Sequence, residues 1–565
     1  MSSPKKSPEA KAAEWKMSAG RSAQAVEELE KSDERQLART GKKQVLKRRF
    51  GFVSMLGMST TLMLTWEGEL LYFSSGLLNG GPAGLVYSYL LSWAGVLAVM
   101  SCLAELSSMA PTAAGQYYWV SILAPKPFSR IASYVTGWLS VAVWQGVVTM
   151  TGYLCGTLIQ GLIVLHNLNP AAASDPTQAP AFYEPKGWQA TLLLWGAVLL
   201  SLCVNTVLAK HLPKIEGFIL YIHLFGFFAI LVPLLYLSER VPARVVFTAF
   251  SNGGQWPSTG IAFLVGMITN VGSLLGSDGA VHLSEEIHSA SRIVPWSILI
   301  TLLLNGTLGL GMLLTVLLCL TSPDAALASP TKYPFIQIFY DATKSTTGTT
   351  LMTVLILLLV FAAMFGQFAS ASRQLWSFAR DFGVPFSSRL QYISPHSRLP
   401  LNAIYTTLTI PLLLGLIISG SSIALLNLLS FVTSAWLLAA FLPLSLLLWR
   451  RTTGLITLPQ LINHVSTSSP ADSPSAPLEP LQNSHEVLEW GPWRIPEPLG
   501  TVVNVFGLCW ILVAMFFSFW PPFKNVTVQN MNYSALMTGF WVIFGLIWFA
   551  VWGRRTYKGP VVEVK

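Results

Sequence analysis

The chain has 565 residues, of which 52% are hydrophobic and 11% charged, and its mean hydropathy is +0.54. That balance excludes a water-soluble globule and describes a protein that crosses a bilayer many times. The formal net charge of +9 is not a nucleic-acid surface, because the positive residues gather on one side of the membrane.

Residues 1–50 are polar and hold 13 of the 35 Lys and Arg residues. No secretory signal peptide is read there, so the first span is expected to direct insertion itself. Residues 1–20 read as disordered and residues 23–49 as a charged helix along the membrane. The run Lys42-Lys43 with Lys47-Arg48-Arg49 reads as a topology anchor at the headgroups.

Stretches of about 20 apolar residues predict spans at 52–78, 86–106, 131–165, 189–208, 216–238, 260–282, 294–320, 349–372, 402–420, 422–449, 501–520 and 535–553. This is an all-α polytopic membrane protein with twelve transmembrane helices, the third and eighth long enough to tilt or to extend beyond the bilayer. The loops on the N-terminal side hold 16 further positive residues and the opposite loops six, which places both termini in the cytoplasm. The domains are therefore a tail at 1–50, a membrane domain at 51–553 and a tail at 554–565. Residues 450–500, rich in Pro and Ser, form a cytoplasmic linker between spans ten and eleven.

The first and sixth spans are each interrupted by an acid beside glycine: Thr65-Trp66-Glu67-Gly68-Glu69 and Gly276-Ser277-Asp278-Gly279. An acid at the bilayer centre costs about 2.5–3.5 kcal/mol, so it faces a pocket, a partner or a proton path. Paired glycine-interrupted spans point to the binding site of a transporter. No phosphate-binding loop or His-Glu-x-x-His motif is present in the sequence, which argues against an ATP-driven pump or a zinc hydrolase, and no cofactor is implied. Asp278, His282 and Glu286 have a possible metal-ligand spacing on a helix. Glu285 and Glu286 fall at the end of the span, where solvated charge is the ordinary reading.

Cys102, Cys155, Cys203, Cys319 and Cys509 lie in or beside apolar spans and read as packing residues. Two sequons, at Asn525 and Asn532, fall in a short exterior loop, while that at Asn305 lies inside a span.

The runs Leu78-Asn79-Gly80-Gly81-Pro82, Ala104-Glu105-Leu106-Ser107-Ser108-Met109-Ala110-Pro111 and Gly115-Gln116-Tyr117-Tyr118-Trp119-Val120 resemble fungal amino acid/choline transporters of the amino acid–polyamine–organocation superfamily. So do Asp278-Gly279-Ala280-Val281-His282-Leu283-Ser284-Glu285-Glu286-Ile287, Ala371-Ser372-Arg373 and Trp376-Ser377-Phe378-Ala379-Arg380-Asp381. The resemblance runs from about Phe50 to Trp552, outside the tails and the linker. It implies a leucine-transporter-like five-plus-five inverted repeat, with two appended spans and with helices one and six broken at mid-membrane around the substrate.

The resemblance also implies roles. Glu67-Gly68 stands where relatives carry a Gly-Ser-Gly turn that holds a substrate carboxylate, and this chain keeps only the last glycine. A Glu in that turn repels a carboxylate and attracts an ammonium, for which Trp66 and Trp144 offer aromatic faces. The substrate-binding set is therefore Thr65, Trp66, Glu67, Gly68, Trp144, Gly276, Ser277 and Asp278. Glu67 has two further readings, as a proton carrier and as a structural hydrogen-bonding group. His223, inside the fifth span, resembles the basic residue of sodium-independent relatives and is the proton-coupling candidate with Glu67, although a core histidine is the alternative. Glu105 and Arg373 are candidates for an inner gate, and Arg380 shares that reading with simple positive-inside retention. Gln145, Gln367, Asn427, Ser430, Thr433 and Ser434 fit either a cavity wall or hydrogen bonds between helices.

The expected function is a proton-coupled secondary transporter that imports a small amine, choline-like or amino acid solute. A neutral amino acid, gamma-aminobutyrate or polyamine permease and a non-transporting nutrient receptor are the alternatives. Its partners are the solute, protons and the lipid bilayer. The plasma membrane is the expected location, with the vacuolar membrane as alternative, and the oligomeric state stays open.

Overall fold

A computed structural model describes residues 28–167, 183–419, 423–458, 481 and 487–564. The expected disorder of residues 1–20 and most of the 450–500 linker lie outside the described residues. Among the described residues ten helices are long and apolar enough to cross a membrane, from Gly81–Met109 to Ser534–Thr556, and the shorter apolar helix Leu401–Ile417 occupies the ninth predicted place. The first predicted span is present as three consecutive helices, Phe52–Met63, Thr65–Leu71 and Phe73–Leu78. The third and eighth spans are the long helices Lys126–Asn167 and Thr346–Arg380, as their hydrophobic lengths predict.

Burial sorts the spans by composition. The fifth span, Leu212–Leu237, turns Phe218, Tyr221, Phe225, Phe228 and Tyr236 outward, which suits a helix facing hydrocarbon. Polar residues inside the spans, such as Thr60 of the first, Gln145 of the third and Gln367 of the eighth, are buried, because a polar group at that depth must find its partner inside the protein.

The two broken spans meet at mid-membrane. In the first, Leu64 adopts a left-handed conformation (φ 51°, ψ 44°) between helices Phe52–Met63 and Thr65–Leu71. In the sixth, helices Thr259–Gly266 and Ile268–Leu274 end at Leu275, Gly276 has φ 117°, and a 3-10 helix follows over Ser277–Glu286. The first break thus lies before the acid-glycine pair. Gly68 sits in the resumed helix, where an added Cβ would stand 2.9 Å from Cβ of Ser273. Its lack of a side chain permits close approach of the sixth span rather than a turn.

The N-terminal segment corrects two expectations. Residues 28–39 are helical but dock on protein: Asp33, Leu37 and Thr40 are buried, and the Ser289 amide donates to both Asp33 oxygens at 2.9 and 3.0 Å. The basic run is folded in at one residue: Lys42 is buried against Asp381, while Lys43 and Lys47 are exposed. The backbone amides of Arg49 and Phe50 donate to the Glu286 carbonyl at 2.8 and 3.0 Å.

The positive φ of Gly276 sets a stability test. Gly276→Val is expected to lower the stability of the detergent-solubilised protein by about 1–3 kcal/mol, read as a fall in melting temperature. Gly196→Ala, where an added Cβ meets nothing within 4 Å, should be neutral or stabilising.

Candidate functional site

Between the two breaks lies a cavity of about 40 Å³, room for a few waters. Leu62, Met63 and Leu64 of the first break and Leu275, Gly276 and Asp278 of the sixth line it, with Trp144, Gln367, Thr433 and Trp436 closing the sides and Tyr72 one end. Among the described residues no Lys, Arg or His lines it. Asp278 is fully buried. Its Oδ2 accepts from Gln116 Nε2 at 2.9 Å and from the Trp436 indole at 3.0 Å, while Oδ1 has no partner. A carboxylate oxygen without a donor, walled by two tryptophans and a tyrosine, suits an organic cation: the charge meets Asp278, and each aromatic face adds about 0.5–2 kcal/mol.

Of the residues that sequence reasoning assigned to substrate, the structure brings Trp144, Gly276 and Asp278 together at this cavity. Thr65, Trp66, Glu67, Gly68 and Ser277 are buried behind it and are absent from its wall.

Glu67 points the other way, toward the fifth and seventh spans. Its Oε1 lies 2.8 Å from Nδ1 of His223, and Trp66 packs at 5.7 Å from the same ring. Nε2 of His223 is 3.2 Å from Oδ1 of Asn305, whose amide nitrogen donates to the Thr60 carbonyl at 2.8 Å. That last bond orients the amide so that Asn305 offers His223 an acceptor, and Nε2 must therefore carry a hydrogen. The Glu67–Nδ1 bond then needs one further proton, held by either group. Losing that proton breaks the bond and leaves a charge in the core. Sequence reasoning singled out these two residues separately; the structure makes them a pair.

Two other buried acids escaped notice. Glu69 accepts from the Ser273 hydroxyl, and Glu216 of the fifth span accepts from Thr61 Oγ1 at 3.1 Å. Each keeps one oxygen without a partner. Glu216 stood at the edge of a predicted span, where an acid is ordinarily solvated. Gln116 and Trp436, which hold Asp278, had no separate signal: one lies within a quoted motif and the other was not singled out.

The cavity is closed unequally at its two ends. On the side away from the N-terminal segment, a vestibule of about 630 Å³ is lined by Leu71, Ser75, Tyr153, Gln160, Lys332 and Phe523 among others. Tyr72 and Leu429 line both spaces, so they form the partition between them. On the N-terminal face a layer of ion pairs intervenes. Arg373 Nε meets Glu286 at 2.8 Å and Arg380 Nη1 meets Glu285 at 2.9 Å, joining the eighth span to the end of the sixth. Arg380 also pairs with Glu563, Lys42 with Asp381, and Arg451 with Glu105.

Glu285 and Glu286 are therefore buried partners of arginine rather than solvated charges. Glu105 and Arg373 do not pair with each other: Arg451 takes the first and Glu286 the second. Burial would raise the Glu563 carboxyl, but hydrogen bonds and attraction from Arg380, with Lys42 beyond, outweigh it and hold it below the usual carboxylate range. The C-terminal segment is thus an ionised part of the seal at neutral pH.

Comparison with known proteins places this architecture. The family model described as amino acid permease matches residues 50–543. The chain belongs to the amino acid permease family. It is 27% identical to a choline transporter of Saccharomyces cerevisiae over 514 residues, 91% of this chain and 83% of the relative. A putative amino acid/polyamine transporter of Macrophomina phaseolina is 25% identical, covering 85% and 97% of the two chains. The GABA-specific permease of S. cerevisiae is 24% identical, covering 94% and 86%. The permease is an integral membrane protein whose broken spans and central cavity suit the transport of small solutes.

The ion-pair layer predicts a charge-swap result. Arg373→Glu buries two facing carboxylates and should cost about 3–5 kcal/mol, seen as lost solute uptake and a lower melting temperature. The double variant with Glu286→Arg should recover most of both; equal damage in the double would show that the pair does not close this face.

Proposed function

We propose that this permease imports a small organic cation, choline-like in carrying an alkylated ammonium, by proton-coupled alternating access. The observation that carries this reading is the unpartnered Oδ1 of Asp278 in a cavity walled by Trp144, Trp436 and Tyr72 and free of lysine, arginine and histidine. A substrate carboxylate would find no counter-charge there, whereas an ammonium completes the site. The choline transporter among the relatives supports the same solute class. The GABA-specific permease supports a second reading, an amine that also carries a carboxylate, for which Gln367, Thr433 and the backbone at the two breaks are the available partners.

Under this proposal the vestibule faces the exterior and both termini are cytoplasmic, in line with the excess of positive residues on the N-terminal side. The conformation is then sealed on the inside and parted from the outside by Tyr72 and Leu429, and the plasma membrane is the location that importing such a solute requires. Glu67 and His223 carry the coupling proton, because their hydrogen bond exists only while the pair holds it.

The test is uptake of labelled choline in a transport-deficient host, in competition with gamma-aminobutyrate, polyamines and common amino acids. Asp278→Asn should raise the half-saturating choline concentration by about 30-fold or more, the equivalent of about 2 kcal/mol for a buried charge contact. Wild-type affinity in that variant would sink the cation site. Binding without accumulation in the parent protein would instead identify a receptor.

Glu67→Gln should act differently. The amide can still donate to Nδ1 but cannot release a proton, so uptake should lose its dependence on external pH, with little change in substrate affinity at the optimum. A pH profile identical to that of the parent protein would remove the pair from coupling.

A further inference from the structure

A groove of about 860 Å³ lies behind the third span, outside the transport path. It shares no lining residue with the central cavity or the vestibule. Its wall follows the ninth span from Asn402 to Ile417, about 22 Å at 1.5 Å per residue, which is most of the depth of a hydrocarbon core of about 30 Å. Trp138, Phe431 and Trp541 form the floor, and Tyr405 and Ile417, 50% and 75% exposed, stand at the rim. An apolar trough of that length beside hydrocarbon holds a chain rather than water.

Apart from Gln145, whose amide donates to Thr407 Oγ1 at 3.0 Å, the polar groups of the groove gather at its end on the N-terminal face. Arg389 lies there on the short turn after the eighth span, beside Asn402 and Thr406. Among the described residues no carboxylate pairs with Arg389: Asp381, the acid of that loop, is taken by Lys42, and Glu285 and Glu286 by Arg380 and Arg373. Arg398 adds to the positive character of the same loop. An apolar channel capped by a free guanidinium matches one kind of molecule, a lipid with an anionic headgroup.

We propose that this groove binds an anionic phospholipid, with its net-negative headgroup on Arg389 and one acyl chain lying along the ninth span. The position gives such a lipid a purchase on transport. Gln145 faces the groove while its neighbour Trp144 faces the cavity, and Phe431 and Val432 of the tenth span divide in the same way. The acyl chain therefore backs two helices whose opposite faces hold the substrate.

Native mass spectrometry of the purified protein, exposed to phosphatidylserine and phosphatidylcholine of identical chains, tests the assignment. The parent protein should retain phosphatidylserine about fivefold more strongly, as one cation at an anionic headgroup implies. Arg389→Gln, a change at an exposed position, should bring the ratio close to one. Ala142→Phe, which fills the groove, should reduce retention of both lipids, and if that variant fails to fold the Arg389→Gln ratio still decides. Equal retention of the two lipids by the parent protein, an unchanged preference in Arg389→Gln, or retention of a sterol in place of both would each overturn the proposal.

Discussion

Hydrocarbon offers no hydrogen bonds, so a helix that breaks inside a bilayer must have its freed polar groups met by protein, by enclosed water or by the solute. Leu64 and Gly276 impose this condition at the same depth, with an added Cβ on Gly276 only 3.2 Å from Leu62 Cδ2. Around that point the structure supplies Gln367, which donates to the Leu62 carbonyl at 3.1 Å, and Ser370, which donates to the Gly279 carbonyl at 3.2 Å. Both lie on the eighth span. That span also carries Arg373 and Arg380, so one helix supports the breaks and closes the N-terminal face beneath them.

The same condition sorts the buried acids. The acids that meet a cation lie in the layer at the N-terminal face: Glu105, Glu285, Glu286 and Asp381. Deeper in the membrane the acids meet hydroxyls, amides, an indole or an imidazole instead, and each keeps one oxygen without a donor. The depth of an acid thus goes with the nature of its partner, arginine or lysine in the layer and a neutral group or an imidazole below it.

Much of this was legible in the sequence because length and hydropathy are one-dimensional properties. The twelve apolar stretches, the interruption of the first and sixth, and the extra length of the third and eighth follow from counting residues against the thickness of a bilayer. Direction was harder. Thr65-Trp66-Glu67-Gly68 reads as a single interruption, yet the chain turns at Leu64, a residue with no conformational signature, and the resumed helix carries Glu67 to the fifth span and away from the cavity. Partner choice was hidden for the same reason. Arg451 and Glu105 are 346 positions apart, and nothing local marks Trp436 as the donor to Asp278. In the basic run at residues 42–49 a single lysine departs from the usual place of a positive segment at the headgroups, because Asp381 at the end of the eighth span draws Lys42 inward.

Separating the two central acids has a mechanical consequence under the proposed coupling. Glu67 belongs to the short helix Thr65–Leu71, while Asp278 follows the break of the sixth span, and Gly68 presses directly on Ser273 of that span. A cation drawn to Asp278 acts on the sixth span, and a proton lost from Glu67 and His223 loosens the first from the fifth and seventh. Neither group touches the other, so the two events communicate through the packed crossing at Gly68, where no side chain can yield. Coupling of this kind needs no shared ligand: it requires that the two broken helices move as one body, which their contact at mid-membrane enforces.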